Sequence, residues 1–271
     1  MSGELLLRDG EWEQVTPEAA GWRYLFFGVR RGSFEASTPD GEVALVPLSG
    51  RCRVKANGDR FELGGRSSVF DGLPWALYLP RGTTYRVEAL DGDLEVAVCG
   101  ALCDERREPV LVTPEEIEIE VRGAGNATRQ INHIIKPEFP AERLLVVEVF
   151  TPSGNWSSYP PHKHDEDHAP EEVVLEETYY FRTASPDAFA VQRLYSPRHG
   201  LDLTATVRDG DLLLVPYGYH TTAAAHGYDL YYLNALAGDV RSMASADDPA
   251  LHWIRAAWSE LEPDPRVPLV T

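Results

Sequence analysis

Cysteine and lysine are scarce in this sequence and histidine is missing from its first 132 residues, and each shortage excludes something. The three cysteines, Cys52, Cys99 and Cys103, are an odd number, all in the first half, with no CxxC pair. Neither a disulfide framework nor a cysteine-built metal knuckle is encoded, and they read as reduced thiols. Lysine stands only at 55, 136 and 163, against 22 arginines, a skew we read as codon usage before function. With 43 acidic and 25 basic residues the formal charge is −18, so the basic surface that nucleic acid or an anionic membrane requires is missing. A small anionic substrate remains admissible if a few arginines converge in a pocket. No window approaches the roughly 18 apolar residues of a membrane span. The opening MSGELLLRDGEWEQV has neither a secretory apolar core nor transit-peptide character, which makes the cytoplasm the expected location. No histidine precedes His133.

What is present points to β-structure. Hydrophobic content of 43% and charged content of 25% are globular values, and 22 Gly with 20 Pro imply many turns between short strands. From 24 to about 105 short apolar runs alternate with turn chemistry: ANGDR at 56–60, Leu63-Gly64-Gly65-Arg66, and Asp91-Gly92-Asp93. Residues 104–128 read as a charged connector with one strand, Ile117 to Val121, and the boundary between two units is expected near 124, giving 1–124 and 125–271. The second half repeats the plan. Superposing the Pro-x-Gly of ALYLPRGTTYRVEA (76–89) on that of DLLLVPYGYHTTAA (211–224) brings Pro80 onto Pro216, Gly82 onto Gly218 and Thr84 onto His220, and similar logic sets Glu42 against Glu177. In the tail, Leu251, Ile254, Ala257, Trp258 and Leu261 follow a helical period, with Asp248-Pro249 as the expected cap and first turn.

The stretch PHKHDEDHAPEEVVLEETYY (161–180) carries the chemistry. His162 and His164 are two apart, so on a strand both rings leave one face with Cα atoms roughly 6–7 Å apart, close enough to share one ion. Glu177 follows on a strand-like segment, and His220 comes after the turn PYGYH (216–220). Three neutral imidazoles and one carboxylate suit zinc, manganese or ferrous iron. Taken alone, the His pair could be two exposed strand histidines; the ordered arrival of Glu177 and His220 favours the metal. His168 reads as a solvated loop histidine.

His-x-His on one strand, Glu on its neighbour and a last His after a Pro-x-Gly turn is the cupin order. The segments GNATRQINHI (125–134), SGNWSSYPPHKHD (153–165), LEETYYFR (175–182), QRLYS (192–196), GDLLLVPYGYH (210–220) and GYDLYYLNALAG (227–238) closely resemble the 5-deoxy-glucuronate isomerase family of inositol catabolism. The likeness covers most of 125–260, whereas the first half matches in length and general pattern. It implies a bicupin, two tandem antiparallel jelly-roll-like β-barrels with a short C-terminal helix, in which only the second barrel binds metal. The implied reaction converts 5-deoxy-D-glucuronate to 5-dehydro-2-deoxy-D-gluconate. Thr221, and Ala224-Ala225-His226, depart from the family's Pro-bearing pattern without touching an implied ligand.

Carried over, the ligands are His162, His164, Glu177 and His220, with zinc first among the divalent ions. Strand parity separates Glu177 from Glu176: Glu177, Tyr179 and Phe181 share one face, Glu176, Tyr180 and Arg182 the other. Tyr219, Tyr232 and Glu177 itself are the candidates for moving the proton. Arg193, beside Gln192, is the candidate for the substrate's carboxylate, although adjacent strand residues point oppositely and at most one of the two lines the barrel. A 5-keto-4-deoxyuronate isomerase, a cupin dioxygenase and a non-catalytic sugar-binding bicupin are the competing readings. Exposed strand edges leave room for a homodimer.

Overall fold

The architecture follows from which strands are apolar on one face and which on both. The structure, a computed structural model, describes residues 5–271. Three antiparallel sheets stack in layers. The middle sheet has seven strands in the order Leu6–Leu7, Leu212–Val215, Glu176–Thr183, Leu230–Ala237, Leu144–Thr151, Arg129–Ile135, Glu118–Arg122. The outer sheet has five: Leu201–Val207, Ala190–Ser196, Tyr219–Ala224, Trp156–Lys163, Ala246–Asp247. The N-terminal sheet is built on two long strands, Gly41–Ala56 and Thr83–Leu102.

Middle strands such as LLVVEVFT (144–151) and LYYLNALA (230–237) are buried at every position, as strands covered on both faces must be. Ile131, Val149, Tyr179, Phe181 and Tyr232 meet Ala190, Leu194 and Ala224 of the outer sheet. Their neighbours Val146, Phe150, Tyr180, Tyr231 and Leu233 meet Phe27, Ala44, Val46, Tyr78 and Cys99 of the N-terminal sheet. That sheet curls around a core of its own, including Val43, Leu45, Val54, Leu77 and Val87. The expected all-β class holds, with only short helices at Pro17–Ala20 and Trp253–Ala257.

Two carboxylates lock the units together reciprocally. Glu42, fully buried, accepts from the backbone N–H groups of Glu142, Arg143 and Leu144 at 2.7–2.8 Å and from Tyr78 Oη at 2.6 Å. Glu176 accepts from the N–H groups of Arg23, Tyr24 and Leu25 at 2.5–3.0 Å. The pairings Val43↔Leu79 and Glu177↔Val215 show why these two match. With Leu79 and Val215 each just before the aligned Pro, Val43 is the counterpart of Glu177 and Glu42 that of Glu176. The sequence superposition of Glu42 on Glu177 is thus one residue out, a slip that changes the face a side chain occupies. A third tie is Arg66, whose guanidinium meets Glu148 at 3.1 Å, with Asn132 Nδ2 donating to the same carboxylate at 2.9 Å.

Other local expectations divide. Asn57-Gly58 forms the expected hairpin turn, both residues at positive φ (50° and 96°). Asp91-Gly92-Asp93 does not turn; it lies within Thr83–Leu102, where the pairing with Ser49–Arg51 slips and irregular register replaces a reversal. The strand expected at 117–121 is Glu118–Arg122, and it pairs with Arg129–Ile135, while Leu6–Leu7 pairs with Leu212–Leu213. The tail helix is shorter than its period suggested. Asp248 turns the chain by accepting from Ala250 N, and the helix starts only at Trp253 before a 3₁₀ turn, Trp258–Glu260, that leaves Leu261 exposed.

Candidate metal centre

Three chain segments deliver the four candidate ligands singled out above. His162 lies near the end of Trp156–Lys163, and directly across the ladder from it stands His220, the second residue of Tyr219–Ala224. Gly218 makes that entry possible: at φ 94° a side chain there would be strained and would press on the Tyr195 carbonyl. His164 sits just beyond the strand end, where its Nδ1 contacts the Leu175 carbonyl at 3.0 Å, fixing the ring. Glu177 comes from the middle sheet.

These groups converge in the space between the two sheets. His164 Nε2 is 2.9 Å from Glu177 Oε2, and His220 Nε2 is 3.3 Å from the same oxygen. Donor atoms of His164, Glu177 and His220 all lie within 4.8 Å of one another, and all three residues are buried. The His162 ring centroid is 4.6 Å from that of His220 and 6.5 Å from that of His164, placing it at the cluster's edge. His220 Nε2 is buried without a hydrogen-bond partner, its angle to Glu177 being wrong for one. An orphaned buried nitrogen costs about 1–3 kcal/mol and calls for an explanation, and a cation among these donors supplies it.

Electrostatics prepare the rings. Burial, reinforced by the neighbouring His164 and Arg129, pushes His162 down to about 3, and burial with His162 beside it does the same to His220. Both are neutral near pH 7 and present lone pairs, as ligation requires. For His164 burial also opposes the charge, but contact with Glu177 outweighs it and raises the pKa. The donor set and its protonation fit a divalent ion.

Strand parity sorts the other candidates. Glu176 is spent on the backbone of 23–25, on the opposite face from Glu177. Tyr232 and Gln192 face the interior with the cluster. Tyr232 Oη bonds Ser157 Oγ at 2.5 Å, and Ser158 Oγ reaches Tyr179 Oη at 3.0 Å and Tyr232 Oη at 3.4 Å. The Tyr179 ring lies 5.7 Å from that of His220, so this buried hydroxyl chain runs up to the cluster. Gln192, fully buried, accepts from Thr222 Oγ1. Tyr219 and Arg193 require correction. Each is offset by one from an inward residue, His220 and Gln192, so both sit on the outer face of the outer sheet, away from the cluster. There Tyr219 packs on Tyr195 at 5.5 Å, and Arg193 stacks over Tyr195 at 4.2 Å while pairing with Asp202 at 3.3 Å.

The sequence did not single out Ser157, Ser158 or Tyr179. Ser158 adopts φ 50°, a left-handed conformation rare for serine, and no local signal announced it. Nor was the loop DEDHAPEEVV read as tied down. His168 is exposed, but Glu172 within the loop is buried and accepts from Lys163 Nζ (2.9 Å), Asp165 N (2.8 Å) and Glu166 N (3.0 Å). Asp165 in turn accepts from Gly218 N at 2.8 Å, bracing the turn that delivers His220.

Two packed β units, one holding buried imidazoles and a carboxylate between its sheets, define a two-unit cupin-type protein. The fold neighbours agree. An oxalate decarboxylase from Lactobacillus farciminis, solved as a formate complex, superposes with a TM-score of 0.65 at 13% identity, covering 91% of this chain and 89% of that one. An IolB-like protein from Salmonella typhimurium LT2 superposes with a TM-score of 0.89 at 36% identity, covering 93% of this chain and 99% of that one. The KduI/IolB family profile matches residues 4–254. Among curated relatives, the 5-deoxy-glucuronate isomerase of Geobacillus kaustophilus is 44% identical over 252 residues, 91% of each chain. That of Halalkalibacterium halodurans is 39% identical over 247 residues, covering 89% of this chain and 91% of its own. The chain belongs to the KduI/IolB family.

Proposed function

We propose that this chain is a metal-dependent aldose–ketose isomerase that converts 5-deoxy-D-glucuronate to 5-dehydro-2-deoxy-D-gluconate in myo-inositol breakdown. The observation that carries the metal requirement is the buried His164–Glu177–His220 cluster with the unpartnered Nε2 of His220. The named activity of relatives up to 44% identical over nearly the whole length supports the substrate. His162, His164, Glu177 and His220 would hold the ion, zinc first and manganese or iron as the other ions of that donor set. When bound, it supplies Lewis-acid stabilisation of the negative charge that builds as a carbonyl moves between adjacent carbons.

The chain's own groups do the rest. Burial raises the pKa of Tyr232, so its hydroxyl stays protonated at neutral pH and can hand a proton to a substrate oxygen or carbon. Ser157 and Ser158 fix its direction. Gln192 commits its oxygen to Thr222 and leaves Nε2 only a long 3.4 Å contact with the Arg193 carbonyl, free to orient a substrate hydroxyl. The division into an N-terminal unit without ligands (1–124) and a ligand-bearing C-terminal unit (125–271) belongs to the same proposal. In it Val43 and Thr84 stand where Glu177 and His220 stand in the second unit.

The test is conversion of 5-deoxy-D-glucuronate, followed by NMR, by metal-loaded and chelator-stripped protein. Turnover that vanishes on stripping and returns with a divalent ion is expected. Turnover by fully stripped protein, or none by protein holding stoichiometric metal, would sink the reading.

A further inference from the structure

Arg129 carries a buried charge without a counter-charge. The residue is 4% exposed, yet no carboxylate lies within ion-pair distance among the described residues. Among the described residues its only hydrogen bonds run from Nη1 to the carbonyls of Ala127 (3.2 Å) and Tyr159 (3.3 Å), which leaves Nε and Nη2 without an acceptor there. Arg66 shows the usual solution at similar burial, a direct pair with Glu148. Neither Nε nor Nη2 is among the fully buried unpartnered atoms, so that edge of the guanidinium faces accessible space, and a largely desolvated cation with a free edge there is suited to an anion that enters from outside the chain.

Its position identifies where that anion would sit. On Arg129–Ile135 the inward face holds Arg129 and Ile131, and Ile131 packs in the same interior core as Tyr179 and Tyr232. The bond to Tyr159 spans to the strand that carries His162, three residues on, or about 10 Å along a strand. A six-carbon acid, with five C–C bonds of about 1.5 Å, spans roughly 6 Å when extended, and a hydrogen bond at its carboxylate adds about 3 Å. The neighbouring Arg255 is a poorer candidate because Asp247 already pairs with it at 2.6 Å; it shares the Trp258 ring with Arg129 (5.0 and 5.7 Å). Arg255 and Arg122, the cross-strand partner of Arg129, line an open cleft together with Glu171 and Asp247, beside the strand pairing of His162 with Asp247. Burial pulls the pKa of Arg129 down to about 10, which still leaves it charged at neutral pH.

We propose that Arg129 binds the carboxylate of the substrate, its free guanidinium edge holding that end of the molecule while the carbonyl end lies at the histidine cluster. This rests on the reading of the site as that of a uronate isomerase. It gives the carboxylate role to Arg129 and removes it from Arg193.

The test compares D-glucuronate with its neutral counterpart D-glucuronamide, by calorimetry on the metal-loaded full chain and its Arg129→Met and Arg129→Lys variants. Wild type should prefer the carboxylate. Arg129→Met should lose uronate affinity by about 10- to 100-fold and leave the amide unchanged, and Arg129→Lys, which keeps charge but not the planar fork, should fall between. Melting temperature should hold at or above the wild-type value, any rise in Arg129→Met reflecting removal of the buried charge, while metal content stays at the wild-type value in both variants. In turnover the loss should appear in KM, with kcat within about threefold. Wild type without a carboxylate preference, either variant retaining the full preference, or equal losses for both ligands would overturn the assignment. A preserved preference with no turnover of 5-deoxy-D-glucuronate would instead remove the isomerase reading and leave the carboxylate site standing.

Discussion

Replacing His220 by leucine tests the metal centre through stability as well as activity, because the two states respond with different sign. In metal-free protein His220 is wholly buried and its Nε2 has no hydrogen-bond partner, so removing that nitrogen recovers about 1–3 kcal/mol. The substitution also loses the 3.2 Å contact of Nδ1 with the Gly218 carbonyl, a cost of about 0.5–1.5 kcal/mol. Leucine fills most of the ring's volume, so the net change without metal is near zero or stabilising. With metal the balance reverses. An ion at a thousandfold excess over its Kd stabilises the wild type by about 4 kcal/mol, which for a chain of this size raises Tm by about 8–16 °C. His220→Leu removes a ligand and should show little of that rise. The assay is thermal unfolding of chelator-stripped protein titrated with zinc and, separately, manganese. A variant that keeps the wild-type metal-dependent rise, or a wild type that shows none with either ion, refutes the reasoning.

Two further predictions rest on the same geometry. Glu176→Gln should cost about 2–4 kcal/mol, since three backbone N–H groups of 23–25 lose a charged acceptor, and leave metal content intact, whereas Glu177→Gln should lower metal content with a smaller effect on metal-free stability. Urea titration beside elemental analysis separates the two, and the same ranking in both measurements would contradict the parity argument. In acid, metal-free protein should lose stability as pH falls below 6.5. His162 and His220, at about 3 when folded and 6.5 otherwise, take up protons first in the unfolded chain. Each contributes a loss of about 1.4 kcal/mol per pH unit down toward pH 3. His164, raised when folded, adds stability as pH drops toward 6.5 and no slope below it, where it is protonated in both states. Urea midpoints from pH 8 to pH 5 that stay flat below 6.5 would show that these rings are not held neutral.

Local chemistry made part of this protein legible in advance. Alternation of side chains along a strand is a local property, so the opposite faces of Glu177 and Glu176 and the turn at Asn57-Gly58 could be read from residue order, whereas His162, expected to share an ion with His164, stands at the edge of the cluster. Arg193 and Tyr219 show where that reading ran out. Parity says that neighbours diverge, but which neighbour faces inward depends on which face of the outer sheet is covered, and that is set by the middle sheet. Glu42 was misaligned by one residue for the same reason, since only its ladder partner, Leu79 opposite Val43, fixes the register.

The sequence by itself determined the all-β class, the turn at Gly218 and the order in which the candidate ligands arrive, because each depends on residues close together in the chain. Tertiary structure alone decided the orphaned nitrogen of His220, the hydroxyl chain from Ser157 to Tyr179, the reciprocal clamps of Glu42 and Glu176, and the uncompensated charge of Arg129. These depend on burial and on partners 20 to more than 150 residues away, and long-range packing, unlike strand alternation, leaves no periodic trace in the order of residues.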